Sequence, residues 1–134
     1  MKPQNEKRNR SRCECAQAKL TEEFCQLLNA KGTGRWRWKG TTTDLLEAAY
    51  RVYLSNSVRN RHGCPCTFRH IADEICKKLQ RTLPNHPTSY VYRAQHRKGV
   101  RQESFFTRYC WIWEHEDPEQ PLMHFVAAEK SPRL

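Results

Sequence analysis

An apolar stripe at helical spacing between residues 67 and 80 is the pattern that most constrains the fold of this chain. Apolar side chains recur at positions i, i+3, i+4, i+7, i+8 and i+11, namely Phe68, Ile71, Ala72, Ile75, Cys76 and Leu79. Side chains with this spacing share one face of an α-helix, and other elements have to cover that face. Thr67 stands directly before the stripe, where threonine is a favoured N-cap. The sequence therefore predicts a buried helix over residues 67–80.

A second helix of opposite character is predicted over residues 88–98. It follows a short break that contains two prolines, at residues 83–87, and Gly99 ends it. Five polar side chains share one of its faces, at i, i+3, i+4, i+7 and i+8: Ser89, Tyr92, Arg93, His96 and Arg97. A buried helix followed by a polar, cationic helix is typical of helix-turn-helix proteins that bind DNA.

A third predicted helix, residues 42–56, completes a tri-helical unit of about residues 41–100. A run of threonines followed by Asp44 marks its start, as expected for a capped helix with an acid in its first turn. Residues 35–39 and 122–128 are candidates for short strands. We predict a mainly α-helical domain, residues 19–130, with a helix-turn-helix-like unit and a short strand or wing. Residues 1–18 are predicted to form a flexible basic arm.

The charge of the chain indicates an anionic partner. The formal net charge is +10 and the sequence pI is about 9.5. Residues 77–108 contain eight lysines and arginines against one acid, a net +7, whereas residues 114–129 contain five acids and no lysine or arginine, a net −5. No stretch approaches the roughly 18–20 apolar residues that span a bilayer. An odd number of cysteines, seven, several of them within helical patterns, favours a cytoplasmic protein with reduced thiols.

These observations predict a protein that binds double-stranded DNA by placing the 88–98 helix in the major groove. Arginine suits this role because its guanidinium contacts guanine or phosphate with two hydrogen bonds. The candidate DNA-binding residues are the five of the polar face together with four neighbouring bases: Ser89, Tyr92, Arg93, His96, Arg97, Lys98, Arg101, Lys77 and Lys78. Two alternatives remain open: docking of an acidic protein on the same face, and single-stranded nucleic acid stacking on Trp36 and Trp38. A homodimer through the aromatic 105–113 helix is a further expectation.

Catalysis and metal binding have weaker support in the sequence. His62, Cys64, Cys66 and His70 are dense in potential ligands, but Cys-x-Cys with an intervening proline is a poorer chelate than the usual Cys-x2–4-Cys. No phosphate-binding glycine-rich loop and no hydrolase or metalloprotease motif is present. We expect a binding protein that is not an enzyme and has no cofactor.

Part of the sequence resembles a known family. The run Trp38-Lys39-Gly40-Thr41, the segment Asp44-Leu45-Leu46-Glu47 and the downstream bases Arg93, Arg97, Lys98 and Arg101 resemble the C-terminal region of RteC-type regulators of Bacteroides conjugative transposons. The resemblance covers about residues 36–106. It implies a helical DNA-binding domain that acts as a regulator or accessory protein of a mobile genetic element.

Overall fold

Five helices and a two-stranded sheet make up the chain in a computed structural model, which describes residues 2–30, 36–95 and 104–128; side chains are described over 12–30, 36–93 and 104–128. The elements in order are α1 (Lys2–Asn29), β1 (Trp36–Trp38), α2 (Thr42–Leu54), α3 (Phe68–Lys78), α4 (Pro87–Gln95), α5 (Phe105–His115), a 3₁₀ turn (Pro121–Phe125) and β2 (Val126–Ala128). The predicted mainly α-helical class is confirmed, and so is the short strand.

Helix α2 is the centre of the domain because every other helix packs against it. Leu45, Leu46, Ala48, Ala49 and Val52 are fully buried along it. The side chain of Thr41 accepts a hydrogen bond from the backbone N–H of Asp44 and so caps the helix start. Thr67 caps α3 in the same way, through the N–H of His70, and the predicted stripe of α3 is buried from Phe68 to Leu79. The local patterns of both helices were therefore interpreted correctly.

The two strands join the segment between α1 and α2 to the end of the described chain. β1 pairs with β2 in antiparallel register, with Trp36 opposite Ala128 and Trp38 opposite Val126. Trp38 is 2% exposed, stacks on Phe125 at 5.7 Å and donates its indole N–H to the carbonyl of Thr41. Trp38 therefore belongs to the core.

The N-terminal residues differ from the predicted flexible arm. Helix α1 begins at Lys2 and runs without a break to Asn29, and Ala16 already belongs to the core, so no boundary is seen at residue 18. The physical reason is that residues 4–29 contain neither glycine nor proline and are rich in good helix formers. Pro3 lies within the first turn, where the missing N–H has no partner to lose.

The connection between α3 and α4 lies where the break is predicted, and it is longer than the turn of a helix-turn-helix motif. It comprises the eight residues 79–86, whereas a helix-turn-helix motif uses three or four. Gln80, in a left-handed conformation with φ of 60°, turns the chain back after α3. The Arg69 guanidinium, at the start of α3, then donates to the carbonyl of Asn85 at 3.4 Å. The connection thus returns along α3, and α4 begins near the N-terminal end of α3.

Candidate nucleic-acid interface

Helix α4 is held on the core by one side and presents polar side chains on the other. Pro87 is buried at its first position and Val91 is 3% exposed, one turn further along. Proline suits the first helical position because its fixed φ is already helical. Ser89, Tyr92 and Arg93 lie on the exposed side, and Tyr92 retains 61% of its accessible surface. Three of the nine predicted residues therefore share an exposed face.

The guanidinium of Arg93 is placed by its neighbours on α4. It lies over the ring of Tyr90, 4.7 Å from the ring centroid, and its Nε donates to the carbonyl of Ser89 at 3.4 Å. A cation on an aromatic face gains about 0.5–1 kcal/mol at an exposed site. The two terminal nitrogens of the guanidinium remain as donors for a ligand, in a planar arrangement that matches a phosphate or a guanine edge.

The two predicted lysines of α3 are engaged elsewhere. Lys77 forms an ion pair with Asp73 at 3.1 Å, and this hydrogen-bonded carboxylate raises the pKa of Lys77. The ammonium of Lys78 donates to the carbonyl of Ala30, just after α1. Both lysines lie at the C-terminal end of α3, whereas α4 begins near its N-terminal end. The structure therefore does not bring them together with the start of α4.

Four further predicted residues, His96, Arg97, Lys98 and Arg101, lie outside the described residues. Trp36 is partly buried against the core, and its partner in the predicted stacking pair, Trp38, is enclosed by aromatic rings and the β1–β2 sheet. The aromatic helix α5, predicted as a dimer surface, buries Phe105, Phe106 and Tyr109 in the core and leaves Trp111 54% exposed.

An ordered basic hairpin that sequence reasoning missed follows α2. The backbone N–H of Cys66 donates to the carbonyl of Val58, and that of Asn60 donates to the carbonyl of Cys64, both at 2.9 Å. Arg59 and Pro65 form an antiparallel β-bridge. We call residues 58–66 the 58–66 hairpin. The sequence signal for the basic character of this segment is the absence of any acid from residue 48 to residue 72. This stretch contains four arginines and two histidines.

Several carboxylates are used inside the fold. Asp44 is 2% exposed and accepts a hydrogen bond from the guanidinium of Arg108 at 2.7 Å. Glu47 accepts the N–H groups of Phe105 and Phe106 at the start of α5, at 3.3 and 3.1 Å. Glu23 is 5% exposed, and its burial raises the pKa of this carboxyl group. Since these acids are engaged in the interior, they do little to offset the cations of the surface.

No group of three or more His, Cys, Asp or Glu side chains that could hold a metal ion occurs within residues 12–30, 36–93 and 104–128. Cys64 is exposed and Cys66 partly buried at the ends of the hairpin turn. Within the same part of the chain, no helix is both long and apolar enough to cross a membrane.

Comparison of the chain with protein-family models, with curated proteins and with solved structures gave no match.

Proposed function

We propose that this protein binds double-stranded DNA and acts as a regulator or accessory protein of a mobile genetic element. The observation on which the proposal rests is the two-sided character of α4. Pro87 and Val91 fix the helix to the core while Ser89, Tyr92 and Arg93 face solvent, in a chain of net charge +10. The resemblance of residues 36–106 to RteC-type regulators is the support for the mobile-element part of the proposal.

The size and chemistry of α4 fit the major groove of B-DNA. An α-helix with its side chains is about 10–12 Å across, and the groove is about 12 Å wide. The guanidinium of Arg93 would contact a guanine edge or a phosphate, and the hydroxyl group of Ser89 would donate to a phosphate oxygen. We propose a binding role, and no catalytic role, for this face of α4.

Fluorescence anisotropy with labelled duplex and single-stranded probes, over a salt series, tests the proposal. Duplex binding should weaken steeply with salt, with a log–log slope of roughly −5 if about six phosphates are contacted. Preference for the single strand would favour the stacking alternative. Absence of binding to either probe at about 50 mM salt would refute the proposal and leave an acidic protein as the partner to seek.

Two substitutions of Arg93 separate a geometric contact from a charge contact. Arg93→Ala should weaken duplex binding about 5- to 150-fold, the range expected for losing about 1–3 kcal/mol at one arginine contact. Arg93→Lys keeps the charge and loses the planar fork, so it should restore affinity only where the contact is a phosphate. Since Arg93 is exposed, neither variant should unfold the protein, which circular dichroism checks. Unchanged binding by Arg93→Ala would show that α4 is not the contacting helix.

A further inference from the structure

The 58–66 hairpin is held in one conformation by its own hydrogen bonds. The side-chain oxygen of Asn60 accepts the N–H groups of His62 and Cys64, at 2.9 and 3.1 Å. The Arg59 guanidinium donates to the carbonyl of Gly63 at 2.7 Å and so crosses the turn. Gly63 has a φ of 80°, which glycine adopts without strain. The turn is therefore ordered before any ligand arrives.

The base of the hairpin is fixed to the core, whereas its tip is in solvent. Val58 and Cys66, at the two ends, pack against the core, and residues 59–65 are all exposed. Next to the base, the rings of Tyr50 and Phe68 meet edge to face at 5.4 Å and join the α2 and α3 helices. Because its base is fixed to the core, the tip projects from the folded domain in a defined position, which a free loop would not.

The tip carries a guanidinium, on Arg61, and an imidazole, on His62, that can bind phosphate. Arg61 and His62 make no side-chain hydrogen bond or ion pair with any residue that the structure describes. The nearest acid along the chain after the hairpin, Asp73, is paired with Lys77. Arg69 and His70 follow at the exposed start of α3, and Arg69 reaches Asn85 just before α4. The hairpin leads directly into the start of α3, and the start of α4 lies beside that same end of α3.

We infer that the 58–66 hairpin is a second contact with duplex DNA, in which Arg61 and His62 bind phosphates of the backbone while α4 lies in the adjacent groove. This inference rests on the proposed function. Phosphate is the assigned ligand because the tip offers cationic donors and its fixed backbone lowers the entropy cost of binding. Such contacts position a protein on DNA without reading its sequence.

Charge-neutralising variants of the full chain test this contact by duplex anisotropy over a salt series. Arg61→Ala should weaken binding about 3- to 30-fold at low salt and reduce the steepness of the log–log slope by about 1. Lys39→Ala is the matched control, because Lys39 is exposed just before α2, whereas the hairpin follows α2 at the other end of this 13-residue helix, about 20 Å away. The control should bind like the wild type.

A second variant tests the importance of the ordered turn without changing the charge. Asn60→Ala removes the oxygen that accepts two backbone N–H groups of the tip. It should weaken duplex binding while leaving the salt slope unchanged, because the cations remain but have to be ordered on binding. Since residues 59–65 are exposed, the thermal melt should stay close to that of the wild type.

The outcomes separate the inference from the proposed function. Wild-type affinity and slope in Arg61→Ala would overturn the hairpin contact and leave the role of α4 standing. Equal losses in Arg61→Ala and Lys39→Ala would also overturn it, because they would indicate a diffuse charge effect. If the wild-type protein binds no duplex at about 50 mM salt, the proposed function fails and this contact fails with it. Binding to polyglutamate under those conditions would identify an acidic protein as the partner instead.

Discussion

Replacement of Glu23 should show how a single buried carboxylate holds three elements together. One oxygen, Oε1, accepts the hydroxyl of Tyr109 at 2.8 Å and the backbone N–H of Leu122 at 3.0 Å. Through these two bonds α1 is joined to α5 and to the 3₁₀ turn that precedes β2. Among the described residues Glu23 and Asp44 are the buried charged side chains, so both interactions are isolated from water.

Glu23→Leu has nearly the volume of the native side chain but leaves both donors without an acceptor. Each unsatisfied buried group costs about 1–3 kcal/mol, so the loss of an acceptor for two donors should lower the free energy of unfolding by about 2–6 kcal/mol. Glu23→Gln retains an oxygen at the same place and should change stability at pH 7 by less than about 1 kcal/mol. Comparison of the two variants separates the effect of losing the two hydrogen bonds from any effect of side-chain size.

The pH dependence of the wild type provides a second readout. Desolvation raises the pKa of Glu23 above its ordinary value of 4.5, so the folded protein holds this proton more tightly than the unfolded chain. The associated stability is present below pH 4.5 and is lost as pH rises through the higher folded value. The stability of Glu23→Gln minus that of the wild type should therefore increase over this window.

Urea denaturation followed by circular dichroism, between pH 4 and pH 8, measures both effects. A double-mutant cycle with Tyr109→Phe should give a coupling energy of about 1 kcal/mol or more between the side chains of Glu23 and Tyr109. If Glu23→Leu is as stable as Glu23→Gln, the buried hydrogen bonds contribute nothing and the reasoning is wrong. A flat difference between Glu23→Gln and wild type over pH would contradict the raised pKa.

Three further changes have defined expectations. Thr67→Ala should lower the stability by about 1 kcal/mol in urea denaturation through loss of the α3 cap, whereas Thr67→Ser should stay within a few tenths. Asp44→Ala, which removes the 2.7 Å ion pair with Arg108, should cost about 1.5–3 kcal/mol and lower the melting temperature; an unchanged melt would refute the structural role of this pair. Burial raises the pKa of Cys76 to about 11, so iodoacetamide at pH 8 should label exposed Cys13 and spare Cys76 until the protein unfolds, as mass spectrometry would show.

The features that sequence reasoning found are those encoded by neighbouring residues. The apolar stripe of α3 and its Thr67 cap depend on spacings of a few residues, and both appear in the structure as predicted. The path of residues 79–86 depends on a long-range contact, between Arg69 and Asn85, that no local pattern contains. The sequence therefore predicts the break between α3 and α4 but not the path that the connection takes.

The buried acids were missed although the sequence held a signal for one of them. Glu23 is three residues after Leu20 and four before Leu27, so it lies on the apolar face of α1. An acid in that position requires a partner when the face is buried, and Tyr109, 86 residues away, is that partner. The pattern indicates the need for a partner, but only the tertiary fold identifies it.

The hairpin and α4 can be tested together, because binding of one duplex by both elements predicts a specific affinity for the double variant. Each of Arg61 and Arg93 is fixed to the same scaffold through a different anchor, the hairpin base in one case and Val91 in the other. Losses at separated, independent sites add in free energy, so Arg61→Ala/Arg93→Ala should lose the product of the two single fold-changes. If the two elements bound different DNA molecules, loss of one contact would leave the other to bind at full affinity. Each single variant would then lose little affinity, and the double variant would be much weaker than the product of the two single losses. Additivity in anisotropy titrations would therefore support one duplex that contacts both elements, and a double variant much weaker than the product would refute it.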